Sequence, residues 1–193
     1  MNQEITWELF EQQVEACRLC PLCRNIRHKV PGQGDRSAPL MLIGEGPGQT
    51  EDEEGLAFVG AAGQLLTKML AAINLPRERV YICNVVKCRP PMNRVPAPEE
   101  AEACRIHLRN QTWLVRPKVI LLLGATAARY LLDPEIRITR DRGKWTERKG
   151  VWMMPTYHPS ALLRDATKKP QAWEDMQSLR DKLKELGLYT DLL

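Results

Sequence analysis

The chain has 193 residues, of which 44% are hydrophobic, which is enough to bury a core, and this length favours one compact domain over two. No apolar stretch could span a bilayer, and the polar opening from Met1 to Phe10 does not resemble a secretory signal, so we expect a cytoplasmic protein with no membrane partner. The net charge of +4 allows a polyanionic partner without requiring one, because 24 acidic residues nearly balance 28 basic ones.

Apolar runs bounded by glycine or proline predict four buried strands, and helical patterns lie between and after them. The predicted strands are Leu40 to Ile43, Val80 to Val86, Val119 to Leu123 and Val151 to Met154. The predicted helices are Ala62 to Ile73, Pro98 to Val115, Ala125 to Leu132 and Ala172 to Leu186. The charged segment from Ile136 to Gly150 is typical of an excursion or small hairpin. This alternation predicts an α/β fold, a three-layer α/β/α sandwich around a mainly parallel central sheet, with residues 1–193 in a single domain.

Six cysteines in a reducing compartment are poor candidates for disulfides, and their spacing favours metal binding. The candidate ligands are Cys17, Cys20, Cys88 and Cys104. Thiolates in this pattern suit either zinc or an iron–sulfur cluster, and the pattern alone does not separate the two. Cys23 continues the three-residue spacing and is a rival ligand, whereas Cys83 lies inside a predicted strand and is interpreted as a small core residue.

Four residues follow the predicted strands and are candidates for a common site. They are Glu45, Asn84, Gly124 and His158. Ligands of open parallel sheets bind beyond the carboxyl ends of the strands, so a carboxylate, an amide, a glycine and an imidazole at these positions predict a binding site.

The glycine-rich turn Gly44-x-Gly46-x-Gly48 superficially resembles a phosphate-binding loop. Its third glycine is misplaced for dinucleotide binding, and no Gly-Lys-Ser/Thr follows. The acidic run from Glu51 to Glu54 would repel phosphate but could hold a water molecule or a developing cation. A tight solvated turn is the simpler alternative.

Four segments of the chain carry a family resemblance. They are Gly44-Glu45-Gly46-Pro47-Gly48-x-x-Glu51-Asp52, Phe58-Val59-Gly60-x-Ala62-Gly63, Asn84-Val85-Val86-Lys87-Cys88-Arg89-Pro90-Pro91-x-Asn93-Arg94 and His158-Pro159-Ser160-Ala161-Leu162-Leu163-Arg164. In their order and spacing, and together with the cysteine pairs, they strongly resemble the family 4 (iron–sulfur-containing) uracil-DNA glycosylases over nearly the whole chain. Ala57 departs from the proline usual in that family, and Cys23 and Cys83 are extra.

The resemblance implies a uracil-DNA glycosylase-like fold and a monofunctional hydrolase of base excision repair. Such an enzyme flips uracil out of single- or double-stranded DNA and hydrolyses its N-glycosidic bond, which releases free uracil and leaves an abasic site. The resemblance also implies one [4Fe-4S] cluster, which ties the N-terminal segment to the 88–104 region. Its implied ligands are Cys17, Cys20, Cys88 and Cys104. We expect a monomer.

The resemblance further implies roles for individual side chains. Phe58 would stack on the flipped base, Asn84 would read uracil O4 and N3–H, and His158 would donate to uracil O2. The backbone of Gly44 and Gly46 would contact the base. Plainer interpretations are a core phenylalanine and an ordinary turn histidine.

Catalysis would also need a group that orients the attacking water or offsets charge on the sugar. Glu45 is the first choice and Glu51 the rival. His28 and His107 are interpreted as surface residues without a role.

Contacts with DNA are expected from basic and apolar residues near the mouth of the site. The basic residues that could neutralise phosphates, with solvated surface charge as the alternative, are Lys87, Arg89, Arg94, Arg164, Lys168 and Lys169. Leu162 and Leu163 could fill the gap left by the extruded base. A second function class is a non-catalytic iron–sulfur protein that binds nucleic acid or transfers electrons. A relative that bonds covalently to DNA is disfavoured, because its histidine-bearing insertion is absent from this sequence after the second strand.

Overall fold

The computed structural model describes residues 5–192, and within them six strands form one mixed sheet. The strands are β1 (Gln33–Gly34), β2 (Leu40–Gly44), β3 (Tyr81–Asn84), β4 (Val119–Leu123), β5 (Thr146–Arg148) and β6 (Val151–Thr156). Their order across the sheet is β1-β3-β2-β4-β6-β5. The four predicted strands pair in parallel, as expected, while β1 and β5 add antiparallel edges. The predicted hairpin is β5–β6, and the mainly parallel sheet is confirmed.

Eight α-helices accompany the strands within the described residues. They are α1 (Trp7–Ala16), α2 (Gln49–Glu54), α3 (Ala61–Ala72), α4 (Pro98–Val115), α5 (Ala125–Leu131), α6 (Ile138–Asp141), α7 (Pro159–Arg164) and α8 (Lys169–Glu185). The predicted helices correspond to α3, α4, α5 and α8. Helix α4 begins where expected because Pro98 occupies its first position, where a missing N–H costs nothing, and the Glu100 carboxylate accepts from the backbone N–H of Ala97.

Two cores lie on opposite faces of the sheet because successive side chains of a strand point in opposite directions. Leu40 and Leu42 of β2 face one core, with residues of α3 and α8, whereas Met41 and Ile43 face the other, with residues of α4 and α5. Helices therefore cover both faces, which confirms the three-layer sandwich. Among residues 5–192, no helix combines the length and apolar character needed to cross a bilayer.

The parallel strands all end at the same edge of the sheet, where the loops that follow them meet. Gly124, directly after β4, has a φ of +94°, and a Cβ placed on it would lie 3.0 Å from the His158 Cβ. Only glycine accepts this backbone conformation readily, so the close approach of the β4 and β6 loops depends on it.

Candidate functional site

A cleft of about 610 Å³ opens at this edge of the sheet. Its lining includes Glu45, Gly46, Glu51, Phe58, Asn84, Arg94, Gly124, His158 and Arg164. The residues that follow all four parallel strands are thus brought together in one concave site, which is where an open α/β sheet binds its ligands.

Glycines allow the aromatic ring of Phe58 to reach the floor of the cleft. Phe58 has a φ of +54°, unusual for a bulky side chain, and its ring centroid lies 5.6 Å from that of His158. A Cβ on Gly44 would lie 2.5 Å from the Phe58 ring, and one on Gly63 would lie 1.8 Å from the Phe58 carbonyl oxygen. The spacing of the glycines in the sequence is therefore explained by the space that the Phe58 loop occupies.

Asn84 places an amide on the floor of the cleft. The residue ends β3 and is only 1% exposed. Within residues 5–192, no hydrogen-bond donor reaches its Oδ1. A buried acceptor without a partner is unfavourable, so this atom is suited to a donor supplied by a ligand.

His158 is held in one tautomer by the first turn of α7. Its Nδ1 lies 3.1 Å from the backbone nitrogen of Ser160, which can only donate, and 2.8 Å from the hydroxyl oxygen of that residue. Nδ1 is therefore an acceptor, and the ring proton sits on Nε2. Burial, together with the nearby charge of Arg164, lowers the pKa of His158 to about 4. The imidazole is consequently a neutral donor near neutral pH.

The two candidate carboxylates have different surroundings. Glu45 is partly exposed in the cleft, and its Oε2 accepts from the hydroxyl of Thr126. Glu51 accepts from three backbone N–H groups, those of Gly48 (3.1 Å), Val59 (3.0 Å) and Gly60 (2.8 Å). Glu51 thereby fastens the glycine-rich turn to the Phe58 loop, whereas Glu45 keeps a carboxylate oxygen available.

Among the residues that line the cleft, sequence reasoning gave no role to the polar side chains of Asn93, Thr126 and Tyr157. Asn93 has a φ of +55°, and its Oδ1 accepts from Arg89 Nε at 2.8 Å. Asn93 lies inside the third motif and Tyr157 directly precedes His158, so position in the motifs was the available signal. Nothing in the sequence marks Thr126 beyond its place after the β4 glycine.

Two of the predicted DNA contacts disagree with the structure. Leu162 is 2% exposed and packs with Tyr157 and Ala172, so it is a core residue, whereas Leu163 is 50% exposed. Lys87 is 1% exposed, and its Nζ donates to the backbone oxygen of Asn84 at 2.7 Å and to Gln111 Oε1 at 2.6 Å. Its ammonium therefore supports the floor of the cleft instead of facing phosphate.

Two of the three predicted arginines, Arg94 and Arg164, line the cleft. Arg94 is exposed and pairs with Glu100 at 2.7 Å, and Arg164 is exposed at the end of α7. Arg89 is partly buried and held by Asn93.

Five cysteines surround a second cavity on the α1 and α4 side of the sheet. They are Cys17, Cys20, Cys23, Cys88 and Cys104. Helix α1 docks through Trp7, whose ring lies 5.6 Å from that of Tyr81, and so directs the loop after it toward α4. Cys83 is fully buried in the core, as predicted.

Cys23 lines this cavity together with the four predicted ligands, so position in the cavity does not separate it from them. Burial, then the thiols of Cys104, Cys20 and Cys17, raise the pKa of Cys88 to about 12. Across residues 5–192, no group of three His, Cys, Asp or Glu side chains has the arrangement of a single-ion site. The chemistry of four neighbouring thiols nevertheless fits the cluster that the resemblance implies.

The other two histidines, His28 and His107, differ in their exposure to solvent. His28 is exposed, as predicted, but the prediction for His107 was wrong, because His107 is 4% exposed and lines the cysteine cavity.

Comparison with known proteins agrees with this fold. The family model described as the uracil DNA glycosylase superfamily matches residues 31–177. A type-4 uracil-DNA glycosylase of Thermotoga maritima is 42% identical over 192 residues, covering 96% of this chain and 99% of that protein. The type-4 enzyme of Archaeoglobus fulgidus is 45% identical over 183 residues, covering 91% of this chain and 90% of its own. The chain belongs to the uracil-DNA glycosylase superfamily and, within it, to the type-4 family.

Proposed function

We propose that this protein is a DNA repair glycosylase that flips uracil out of DNA and hydrolyses its N-glycosidic bond, releasing uracil and leaving an abasic site. The observation that carries the proposal is the convergence of a buried unpaired amide oxygen (Asn84), an aromatic ring (Phe58) and a neutral imidazole (His158) in one cleft. Membership of the type-4 family supports the same activity.

Recognition of uracil would rest on Phe58 and Asn84. The Phe58 ring offers a stacking surface, and Asn84 Oδ1 would accept from uracil N3–H while its Nδ2 donates to O4. Cytosine carries an amino group in place of O4 and has no proton on N3, so it would leave both amide groups mismatched. The backbone of Gly44 and Gly46 would contact the edge of the same base.

His158 would stabilise the departing base. Negative charge gathers on uracil as the glycosidic bond breaks, and Nε2–H of the neutral imidazole would donate to uracil O2. Because the Ser160 backbone fixes the tautomer, no proton has to be relocated before the reaction.

Glu45 would orient the attacking water or offset positive charge on the sugar. Glu51 is less suited to that task, because three backbone N–H groups occupy its carboxylate. We therefore assign Glu51 the role of a positioning residue that holds the turn of Gly48 and the Phe58 loop.

DNA would bind across the mouth of the cleft. Arg89, Arg94 and Arg164 would contact phosphates beside the flipped nucleotide. Leu163 is exposed next to Arg164 of the cleft lining, and Met92 is 93% exposed next to Asn93 of the same lining. We propose that Leu163 enters the gap left by uracil in a duplex. Single-stranded DNA would be processed without this step, by a monomer.

One [4Fe-4S] cluster would be held by Cys17, Cys20, Cys88 and Cys104. Bound there, it would join the segment after α1 to the start of α4 and so stiffen the loop that follows Asn84. No step of the proposed hydrolysis passes through it.

The test is incubation of purified protein with single- and double-stranded oligonucleotides that contain one uracil, followed by alkaline cleavage. We expect breaks at uracil that are lost in His158→Ala and retained in His28→Ala, the exposed control. Iron-loaded protein that binds DNA but leaves uracil in place would overturn the proposal in favour of a non-catalytic binding or electron-transfer function.

A further inference from the structure

His107 is a buried imidazole that the proposed reaction does not use. It lies on α4, three residues after Cys104, and lines the same cavity as the four proposed cluster ligands. Helix positions three residues apart lie on the same face, so both side chains point toward that cavity.

Both ring nitrogens of His107 lack a partner. Nδ1 and Nε2 are buried, and no hydrogen-bonding group within residues 5–192 reaches either of them. Buried polar groups of folded proteins are nearly always hydrogen-bonded, so an imidazole with two free nitrogens indicates a partner that is not a side chain of the described part of the chain.

The charged side chains that line the cavity beside His107 are Lys29 and Lys87. The imidazole ring carries at least one N–H donor whether it is neutral or protonated. Neither lysine can accept this proton, because an ammonium group only donates. Lys87 Nζ already donates to Asn84 and Gln111.

The cavity offers one kind of side-chain acceptor. Apart from His107 and the two lysines, its lining consists of aliphatic side chains and the thiols of cysteines. Sulfur is therefore the acceptor available to the imidazole N–H.

We propose that His107 donates its ring N–H to a sulfur of the iron–sulfur cluster and so stabilises the bound cluster. The inference rests on the cofactor assigned under the proposed function. Hydrogen bonds to cluster sulfurs raise the reduction potential, and loss of such an outer partner commonly weakens metal binding by about 10- to 100-fold.

The direct test uses cluster-loaded protein with ¹⁵N-labelled histidine, brought to a paramagnetic state and examined by pulsed electron paramagnetic resonance. We expect a ¹⁵N coupling in the natural sequence and in His28→Gln, the exposed control, and its loss in His107→Phe. No histidine coupling in the natural sequence, or a coupling that survives in His107→Phe, would overturn the proposal. Absence of the coupling in the natural sequence overturns the proposal even if the phenylalanine variant does not fold, and in that case His107→Gln takes its place as the variant that tests the assignment.

A second test compares His107→Phe with His107→Gln, which keeps an N–H donor. We expect a lower midpoint potential and faster iron release to a chelator in the phenylalanine variant, with both properties largely restored in the glutamine variant. Equal potentials and release rates in all three proteins would refute a hydrogen bond.

Iron content and uracil excision, measured on the natural sequence, separate this proposal from the preceding one. If the purified protein excises uracil but contains no iron, the cluster and the role of His107 are refuted, and the glycosylase function stands. If iron-loaded protein shows the ¹⁵N coupling but does not excise uracil, the role of His107 stands, and the glycosylase function is refuted.

Discussion

Gly44 and Asn84 lie side by side at the ends of β2 and β3, so close that a Cβ on Gly44 would be 2.5 Å from Asn84 Oδ1. A side chain at residue 44 would therefore collide with the unpaired amide oxygen. This contact between two strands shapes the part of the cleft assigned to base recognition.

Replacing Asn84 with aspartate should weaken discrimination for uracil. The carboxylate loses the donor proposed for O4 and places a second acceptor against it, so we expect kcat/KM on uracil to fall by about 100-fold or more. Excision rates on matched uracil and cytosine oligonucleotides measure the effect. Asn74→Asp, at an exposed asparagine, is the control. An unchanged preference would contradict the role of Asn84.

Stability should fall on acidification because the pKa of His158 drops from 6.5 to about 4 on folding. Between these values the unfolded chain binds more protons than the folded one, so the free energy of unfolding decreases as pH falls from about 6.5 to about 4. Over this pH range, proton uptake by His158 in the unfolded chain should lower the free energy of unfolding by an amount on the order of 3 kcal/mol. Urea unfolding across this range should show a shallower pH dependence in His158→Asn than in His28→Asn, and equal slopes would refute the assignment.

Leu162 and Leu163 should respond to alanine in opposite ways. Leu162→Ala removes a buried side chain and should cost about 2–5 kcal/mol of stability. Leu163→Ala should leave stability nearly unchanged while slowing excision from duplex more than from single strands. Thermal melting and paired kinetics test both outcomes, and equal losses on the two substrates would exclude a wedge at Leu163.

Substitution by glutamine should have different effects at Glu45 and at Glu51. Glu45→Gln should preserve the fold and reduce the single-turnover rate by about 100-fold or more. Glu51→Gln would turn an amide donor toward backbone N–H groups and should destabilise the protein by about 1–3 kcal/mol. Should Glu51→Gln be fully stable yet inactive, the roles assigned here would be reversed.

Serine substitutions at Cys20 and at Cys23 should show which of the two thiols binds the proposed cluster. Both thiols line the cysteine cavity, and the family resemblance assigns the cluster ligand to Cys20. Cys20→Ser should therefore lose most of its iron, whereas Cys23→Ser should keep it. Iron and sulfide analysis of the purified variants is the measurement, and the opposite result would identify Cys23 as the ligand.

Several features were predictable because they depend on neighbours in the sequence. The run Val119 to Leu123 is apolar at every position, as a strand covered on both faces must be, and Pro98 marks the start of α4. The meeting of Glu45, Asn84 and His158 also followed from local order, because parallel strands end at one edge of a sheet. The fold and the meeting of these three residues in the cleft were therefore within reach of the sequence.

Burial of individual residues was decided only by the tertiary structure. Leu162 and Leu163 are adjacent and chemically identical, yet α7 turns one toward Tyr157 and the other toward solvent. Lys87 and His107 carry polar groups typical of a surface, but the packing of α4 against the sheet encloses both. Enclosure depends on elements distant along the chain, so local pattern determined which chemical groups this protein carries, and packing determined which of them face the cleft, the cysteine cavity or water.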